Sequence, residues 1–410
     1  MSQLARKLTL GDAVAIGIAS MVGAGVFAVW GPAAEAAGNW LFIGLILAAL
    51  VAWANATSSA QLAAQYPSAG GTYVYGRERL GEWPGYLAGW SFVIGKTASA
   101  AAMAMVFSAY WAPEGWQKFV AVAIIWILVV INILGATRTA QAARVLVVLA
   151  LIGIIAALAT GWITPPTLAE TAPVETSFLG VLQSGGLMFF AYAGYARIAT
   201  MGEEVIEPEK NIRKAIIGAL LFTLVLYAII GATLIAQVGA AQLAGHPAPL
   251  TLLVGDNMFV RVLLVIGATA ASAGALLGLL SGIGRTWLAM ARADDLPSWF
   301  NHTSEKYQTP HRVEITLGII LTVVVLIADL RGAIGFSSFG VLLYYFIANL
   351  AAYTQEGEFR LYHKAWQIVG AVLCVVLAFT LPALSVAGGL VVMALGIVWR
   401  LAKQPEGSLL

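Results

Sequence analysis

Apolar positions in this chain neither alternate nor recur at every third or fourth residue; they run on without interruption. About 20 mostly apolar residues suffice for a helix to cross a hydrocarbon layer roughly 30 Å thick. The pattern predicts twelve such spans, at roughly 11–37, 40–64, 85–110, 116–134, 144–164, 178–202, 214–237, 259–288, 313–330, 332–354, 364–382 and 383–400. Pro382 alone separates the last two. The expected fold class is an all-α membrane protein of twelve transmembrane helices. The polar N-terminus, "MSQLARKLTL", leads into spans too long and too many for a cleavable signal peptide.

Composition strengthens this reading. The 410 residues are 60% hydrophobic and 10% charged, against roughly 25% charged in soluble domains. A lipid bilayer is therefore the expected surroundings. Of the 22 lysines and arginines, 17 fall in the segments on the side of the N-terminus, and Lys118, Arg261 and Arg331 fall opposite. That bias predicts a multi-pass protein of the cytoplasmic membrane with both termini in the cytoplasm. A net charge of +2 without a long basic run gives no sign of a nucleic-acid partner. The lone Cys374 excludes an internal disulfide, and four scattered histidines lack ligand spacing, so no metal and no cofactor is expected. No "GxxxxGK[ST]" motif occurs and no connecting segment could house a nucleotide-binding domain, which argues against ATP-driven pumping. Without a nucleophile–base pair, an enzyme is not expected.

Two spans are interrupted at corresponding places. The first contains "GIASMVGAGVFAV" (Gly17 to Val29), with Gly23 and Gly25 near its middle; the sixth contains "FFAYAGYARIA" (Phe189 to Ala199), with Gly194 near its middle. Backbone in lipid must bond internally, so irregular backbone persists only where protein or a cavity surrounds it. An unwound turn would expose N–H groups suited to a carboxylate and carbonyls suited to an ammonium. A zwitterionic amino acid satisfies both, and paired breaks point to a transporter site at mid-bilayer depth. Glycines in membrane helices also serve close packing, which is the plainer explanation of any single one.

At these residues the chain resembles the amino acid–polyamine–organocation superfamily of secondary transporters. "GIASMVGAGVFAV" resembles that family's first helix, and "YPSAGGTYVYGRERLG" (Tyr66 to Gly81) the loop entering its third. "GEEVIEPEKNIRKAI" (Gly202 to Ile216) resembles the segment after its sixth helix, and "GIGRTWLAMARADDLP" (Gly282 to Pro297) the end of its eighth. The resemblance implies a five-plus-five inverted repeat of the LeuT type with discontinuous helices 1 and 6. It implies a transport core over 1–354, then two accessory helices and a short tail over 355–410.

It further implies carboxylate binding at Gly23, Ala24 and Gly25, beside Val22, and ammonium contacts from carbonyls near Ala19, Phe190 and Ala193. Tyr192, Tyr195 and Tyr344 become candidate pocket walls around Gly194. One departure stands out. Some proton-coupled members carry a lysine in the fifth helix; here "ARVLVVLALIGII" has none, and Ala150 takes the place.

Two cations fall within spans, and an ionisable group there costs from about 2.5 kcal/mol upward, so each is a functional candidate. Lys96 is expected to carry a coupling proton, to substitute for a coupling cation, or to cap carbonyls freed by the breaks. Arg197 cannot titrate usefully and is expected to brace or gate. Glu203 and Glu204 should face the cytoplasmic mouth, paired with Arg213, Lys214 or Arg285 or serving as an inner gate.

These features together predict a secondary active transporter of an amino acid, by alternating access, with proton coupling or exchange. The breaks offer no acid for a cationic side chain, so a neutral, apolar substrate fits best. Compactness resembles bacterial exporters of methionine and branched-chain amino acids. The alternatives are an acidic amino acid or amine carrier, or a non-transporting amino acid receptor or subunit. Oligomeric state is not legible.

Overall fold

The computed structural model describes residues 7–67, 70–135, 140–168, 171–202, 204–304, 307 and 309–403. Among them the chain is helical, with a single pair of residues, Leu8 and Val205, bridged in strand fashion. The helices are α1 (Leu10–Met21), α2 (Ala24–Ala28), α3 (Trp30–Ala37), α4 (Leu41–Gln65), α5 (Thr72–Leu80), α6 (Glu82–Trp111), α7 (Gln117–Ile133), α8 (Ala140–Ile163) and α9 (Phe178–Tyr192). They continue as α10 (Ala196–Ala199), α11 (Pro208–Gln237), α12 (Ala240–Leu243), α13 (Met258–Arg292), α14 (His311–Ile327), α15 (Leu330–Tyr353), α16 (Lys364–Thr380) and α17 (Ala383–Lys403). Among the described residues eight helical stretches are long and apolar enough to cross a membrane, and α7 and α16 are shorter apolar helices.

Helix ends follow local chemistry. Thr9 and Asp12 cap each other reciprocally at the start of α1, and Arg144 reaches Asp12 at 2.5 Å. Ser177, Asn257 and Asp329 cap α9, α13 and α15 through their side-chain oxygens. The motif after the sixth predicted span also has a physical cause. Glu207 turns the chain at φ +45°, and Pro208 then opens α11 at a position where its missing N–H costs nothing. Just upstream, Lys7 and Leu8 donate to the Glu204 carbonyl, both at 3.0 Å, tying the N-terminal segment to this turn.

α6 and α15 form the centre and are mostly buried, whereas α17 lies largely exposed at the periphery. Their backbones nearly touch. A Cβ on Gly340 would lie 2.8 Å from the Gly95 Cα, and the Ser99 and Ser337 hydroxyls meet at 2.6 Å beside that contact. Buried polar side chains find one another where water is absent. Ser58 donates to Asn349 at 2.7 Å, and Asn349 to Asn55 at 2.6 Å, joining α4 to α15. Ala150, in the place where the resemblance suggested a lysine elsewhere in the family, lies under Gly267 of α13; a Cβ there would sit 3.2 Å from the Ala150 Cα. Gly267 thus lets α13 cross the backbone of α8 closely at this buried alanine.

Candidate functional site

The first predicted span is interrupted once. The α-helical ladder stops at Met21, Val22 turns, and Gly23 is extended (φ −62°, ψ −156°) before α2 begins at Ala24. From Ala24 the helix runs on through Val29, which keeps right-handed dihedrals and bonds back to the Gly25 carbonyl at 3.0 Å, into α3. The sixth span behaves differently. After Tyr192 the chain tightens into a 3₁₀ turn over Ala193–Tyr195, then continues as α10. No residue there takes a positive φ, and Tyr192 and Tyr195 keep right-handed dihedrals, so this break is a tightening and not the unwinding its glycine led one to expect.

The two interruptions lie against each other. A Cβ on Gly194 would overlap the Ser20 carbonyl group, and one on Gly25 would meet the Ala191 Cα at 2.7 Å. Gly23 packs on Ala275 of α13, at 3.0 Å from a built Cβ. Here glycine permits backbone to touch backbone. Ala19, Val22, Phe190, Tyr192, Ala193 and Tyr195 are all buried at this junction.

Two side chains serve its carbonyls. Lys96, on α6 and 7% exposed, donates from Nζ to the Ala193 carbonyl at 3.2 Å. Ala193 is one of the carbonyls that the resemblance offered to a substrate ammonium, and the Lys96 ammonium bonds to it. The second was missed. Tyr227 of α11 places its hydroxyl 2.7 Å from the Met21 carbonyl and 3.2 Å from the Ala191 carbonyl, so one phenol spans both interrupted helices. Its ring lies 4.8 Å from that of Tyr192. The only sequence signal was a tyrosine inside an aliphatic span.

Tyr344 is not at the junction's carbonyls. Its hydroxyl accepts from the Thr72 N–H at 3.0 Å, under Gly71, whose φ of +54° brings the loop in. With Gly70, Tyr73, Phe92, Thr200 and Thr286 it surrounds a void of about 10 Å³, scarcely one water molecule's worth. Beyond it, Arg197 is partly buried, and no carboxylate among the described residues lies within ion-pair distance of it; its electrostatic neighbours are Arg285 and Glu204. Those two pair at 3.8 Å. Glu203 lies outside the described residues.

The opposite end is also shut. Gly31 of α3 packs on the His246 backbone, where any Cβ would overlap the carbonyl oxygen. Arg331 joins Glu35 at 2.5 Å and Gln183 at 2.7 Å, bridging α15 to α3 and α9. Among the described residues the crossed breaks are thus packed over on both sides.

Several apolar helices of membrane-spanning length make this a multi-pass membrane protein. The chain belongs to the amino acid permease family, whose model matches residues 8–398. It is 47% identical to an uncharacterized transporter of Mycobacterium tuberculosis (strain ATCC 25618 / H37Rv) over 425 residues, covering 99% of this chain and 95% of that one. It is 28% identical to the vacuolar cationic amino acid transporter 4 of Arabidopsis thaliana (83% of this chain, 62% of that one). It is 27% identical to the branched-chain amino acid permease of Bacillus subtilis (strain 168), over 75% of this chain and 72% of that one.

Proposed function

We propose that this protein is a secondary active transporter that moves a neutral, apolar amino acid across the cytoplasmic membrane by alternating access. In this reading the chain crosses the bilayer twelve times with both termini in the cytoplasm. The first ten crossings, through residue 354, form a five-plus-five inverted repeat, and 355–410 supply two accessory helices and a tail.

The observation that carries the proposal is the crossing itself. Carbonyls of Met21, Ala191 and Ala193 converge there and are held by a hydroxyl and an ammonium from the protein. A substrate ammonium presents the same chemistry and would replace those donors as the helices part. The N–H groups that open α2 at Gly23, Ala24 and Gly25 then face the carboxylate. A closed junction fits a carrier, because only a ligand that binds one conformation better than another can shift their populations.

Substrate class follows from charge. Among the described residues no carboxylate lies at the junction, whereas Lys96 and Arg197 are close to it. That balance disfavours cationic amino acids, although one similar protein is named for them, and favours the kind of substrate named for the branched-chain permease. Coupling by a proton or by exchange is part of the proposal, with Lys96 as the intramembrane group beside the site. The test is purified protein in liposomes, supplied with labelled leucine, valine or methionine under imposed proton gradients and under counter-substrate loading. Saturable uptake supports the proposal. Saturable binding with no flux in either direction would make the protein a receptor.

A further inference from the structure

At the end of α13 the chain turns through Asp294, at φ +60°, and delivers Asp295 to a buried position. Two elements, α5 and α17, converge on that carboxylate. Tyr73 of α5 donates its hydroxyl to Oδ2 at 2.7 Å; Arg77, one turn on, donates to the Tyr73 hydroxyl at 2.7 Å and lies 3.5 Å from Oδ2 itself. Arg400, in the last turn of α17, donates from Nη1 to Oδ1, and both side chains are nearly inaccessible (7% and 4% exposed). The Arg400 guanidinium is also packed 4.7 Å from the Tyr86 ring centre and 5.0 Å from that of Trp83, with Glu82 at 3.4 Å. Trp399 and Lys403 add bonds to the backbone of residues 294–296.

This cluster does more than anchor a helix. Tyr73 is held against Gly89 and forms one wall of the 10 Å³ void that it shares with Thr200, Thr286 and Tyr344. The neighbouring Thr72 N–H is the one that Tyr344 accepts. Tyr73 thus stands between the crossed breaks and the end of α13. A buried guanidinium on a peripheral helix is costly unless something requires it. What it touches is the carboxylate that fixes Tyr73.

We propose that Arg400 is a positioning residue of the inner gate: through Asp295 it holds Tyr73 across the route between the crossed helices and the cytoplasm, so that α17 takes part in the transport cycle. The inference rests on the alternating-access reading. When the gate opens, Tyr73 leaves Asp295, and the Arg400–Asp295 pair sets how readily it returns.

The test reads the gate without relying on flux. In a Cys374→Ala background, Thr286→Cys places one thiol on the void, and its reaction with a membrane-impermeant maleimide is timed in nanodiscs. Arg400→Gln, Asp295→Asn and Tyr73→Phe should each speed labelling by about tenfold or more, because each removes one member of a buried hydrogen-bonded pair whose loss shifts a two-state equilibrium on that scale. Arg400→Lys should restore part of the slow rate. Tyr73→Phe is decisive, since it deletes one hydroxyl and leaves α17 anchored. Labelling within twofold of the parent in Tyr73→Phe overturns the proposal, as does an Arg400→Gln protein that melts earlier but labels no faster. Amino acid uptake by the unmutated protein is measured separately. Its absence counts against the transport reading and leaves the labelling result to judge the gate.

Discussion

Lys96 and Tyr227 hold carbonyls that lipid cannot hydrate, and each can be tested by removing its polar end. Lys96→Met keeps the stem and leaves the Ala193 carbonyl without its donor; an unmade buried bond costs about 1–3 kcal/mol. Uptake is predicted to fall by about tenfold or more, or to lose its response between about pH 5 and pH 8 (1.4 kcal/mol is a factor of ten). Unchanged uptake across that range would remove the lysine from the mechanism. Tyr227→Phe keeps the ring against Tyr192 and frees the Met21 and Ala191 carbonyls. It should weaken transport while altering the melting temperature by only a few degrees, at about 1 kcal/mol for a lost bond. The two residues differ in how legible they were. Lys96 announced itself as a charge in an apolar run. Tyr227 did not, because a tyrosine in an aliphatic helix is ordinarily core, and its role arises only when α11 meets carbonyls 206 and 36 residues distant. Tyr344, which the resemblance offered as a pocket wall, lines the small void and accepts the Thr72 N–H, a partner 272 residues away that no sequence signal marks.

At the scale of elements, glycine positions separate close packing from slack. A methyl at Gly25 meets the Ala191 Cα at 2.7 Å, so α2 or α9 must shift. Gly25→Ala should destabilise by about 1–3 kcal/mol, as overpacking does, and should cut uptake with it. A methyl at Gly282, within α13, meets nothing within 4 Å. Gly282→Ala should hold or raise stability by roughly 0.5–1 kcal/mol through helix propensity. Equal melting temperatures for the two variants would contradict the crossing as described. The helices themselves were readable because uninterrupted apolar runs leave few alternatives in lipid. The form of the breaks was not. Gly23 and Gly194 carry the same signal in sequence, yet one position is extended and the other a 3₁₀ turn, since what lies opposite differs: Ala275 for the first, the Ser20 backbone for the second.

At the scale of the molecule, the closed state is held at two ends by different chemistry. Near Gly31, partial burial holds the His246 imidazole below its ordinary value of 6.5, and Nδ1 accepts the Ala248 N–H at 3.2 Å. The neutral ring is the stabilising form. Its contribution is therefore full above the unfolded value and is lost as pH falls through the lower folded one. The melting temperature should drop on acidification below about pH 6.5, and His246→Gln should flatten that part of the profile. At the other end, burial and the Asp295 carboxylate push the Tyr73 phenol well above the ordinary tyrosine range, so it remains a donor at any physiological pH. Neither arrangement was visible in one dimension. Arg400 and Asp295 are 105 residues apart, and nothing local to either marks a pair.

The account turns on peptide groups at the crossed breaks gripping both ends of a zwitterion. The most direct measurement is competition against labelled leucine uptake in proteoliposomes by three compounds of one shape: leucine, the amine without its carboxylate, and the carboxylic acid without its ammonium. The account predicts that leucine alone competes at concentrations near its own half-saturation. Competition by either single-ended compound as strong as that of leucine would contradict it.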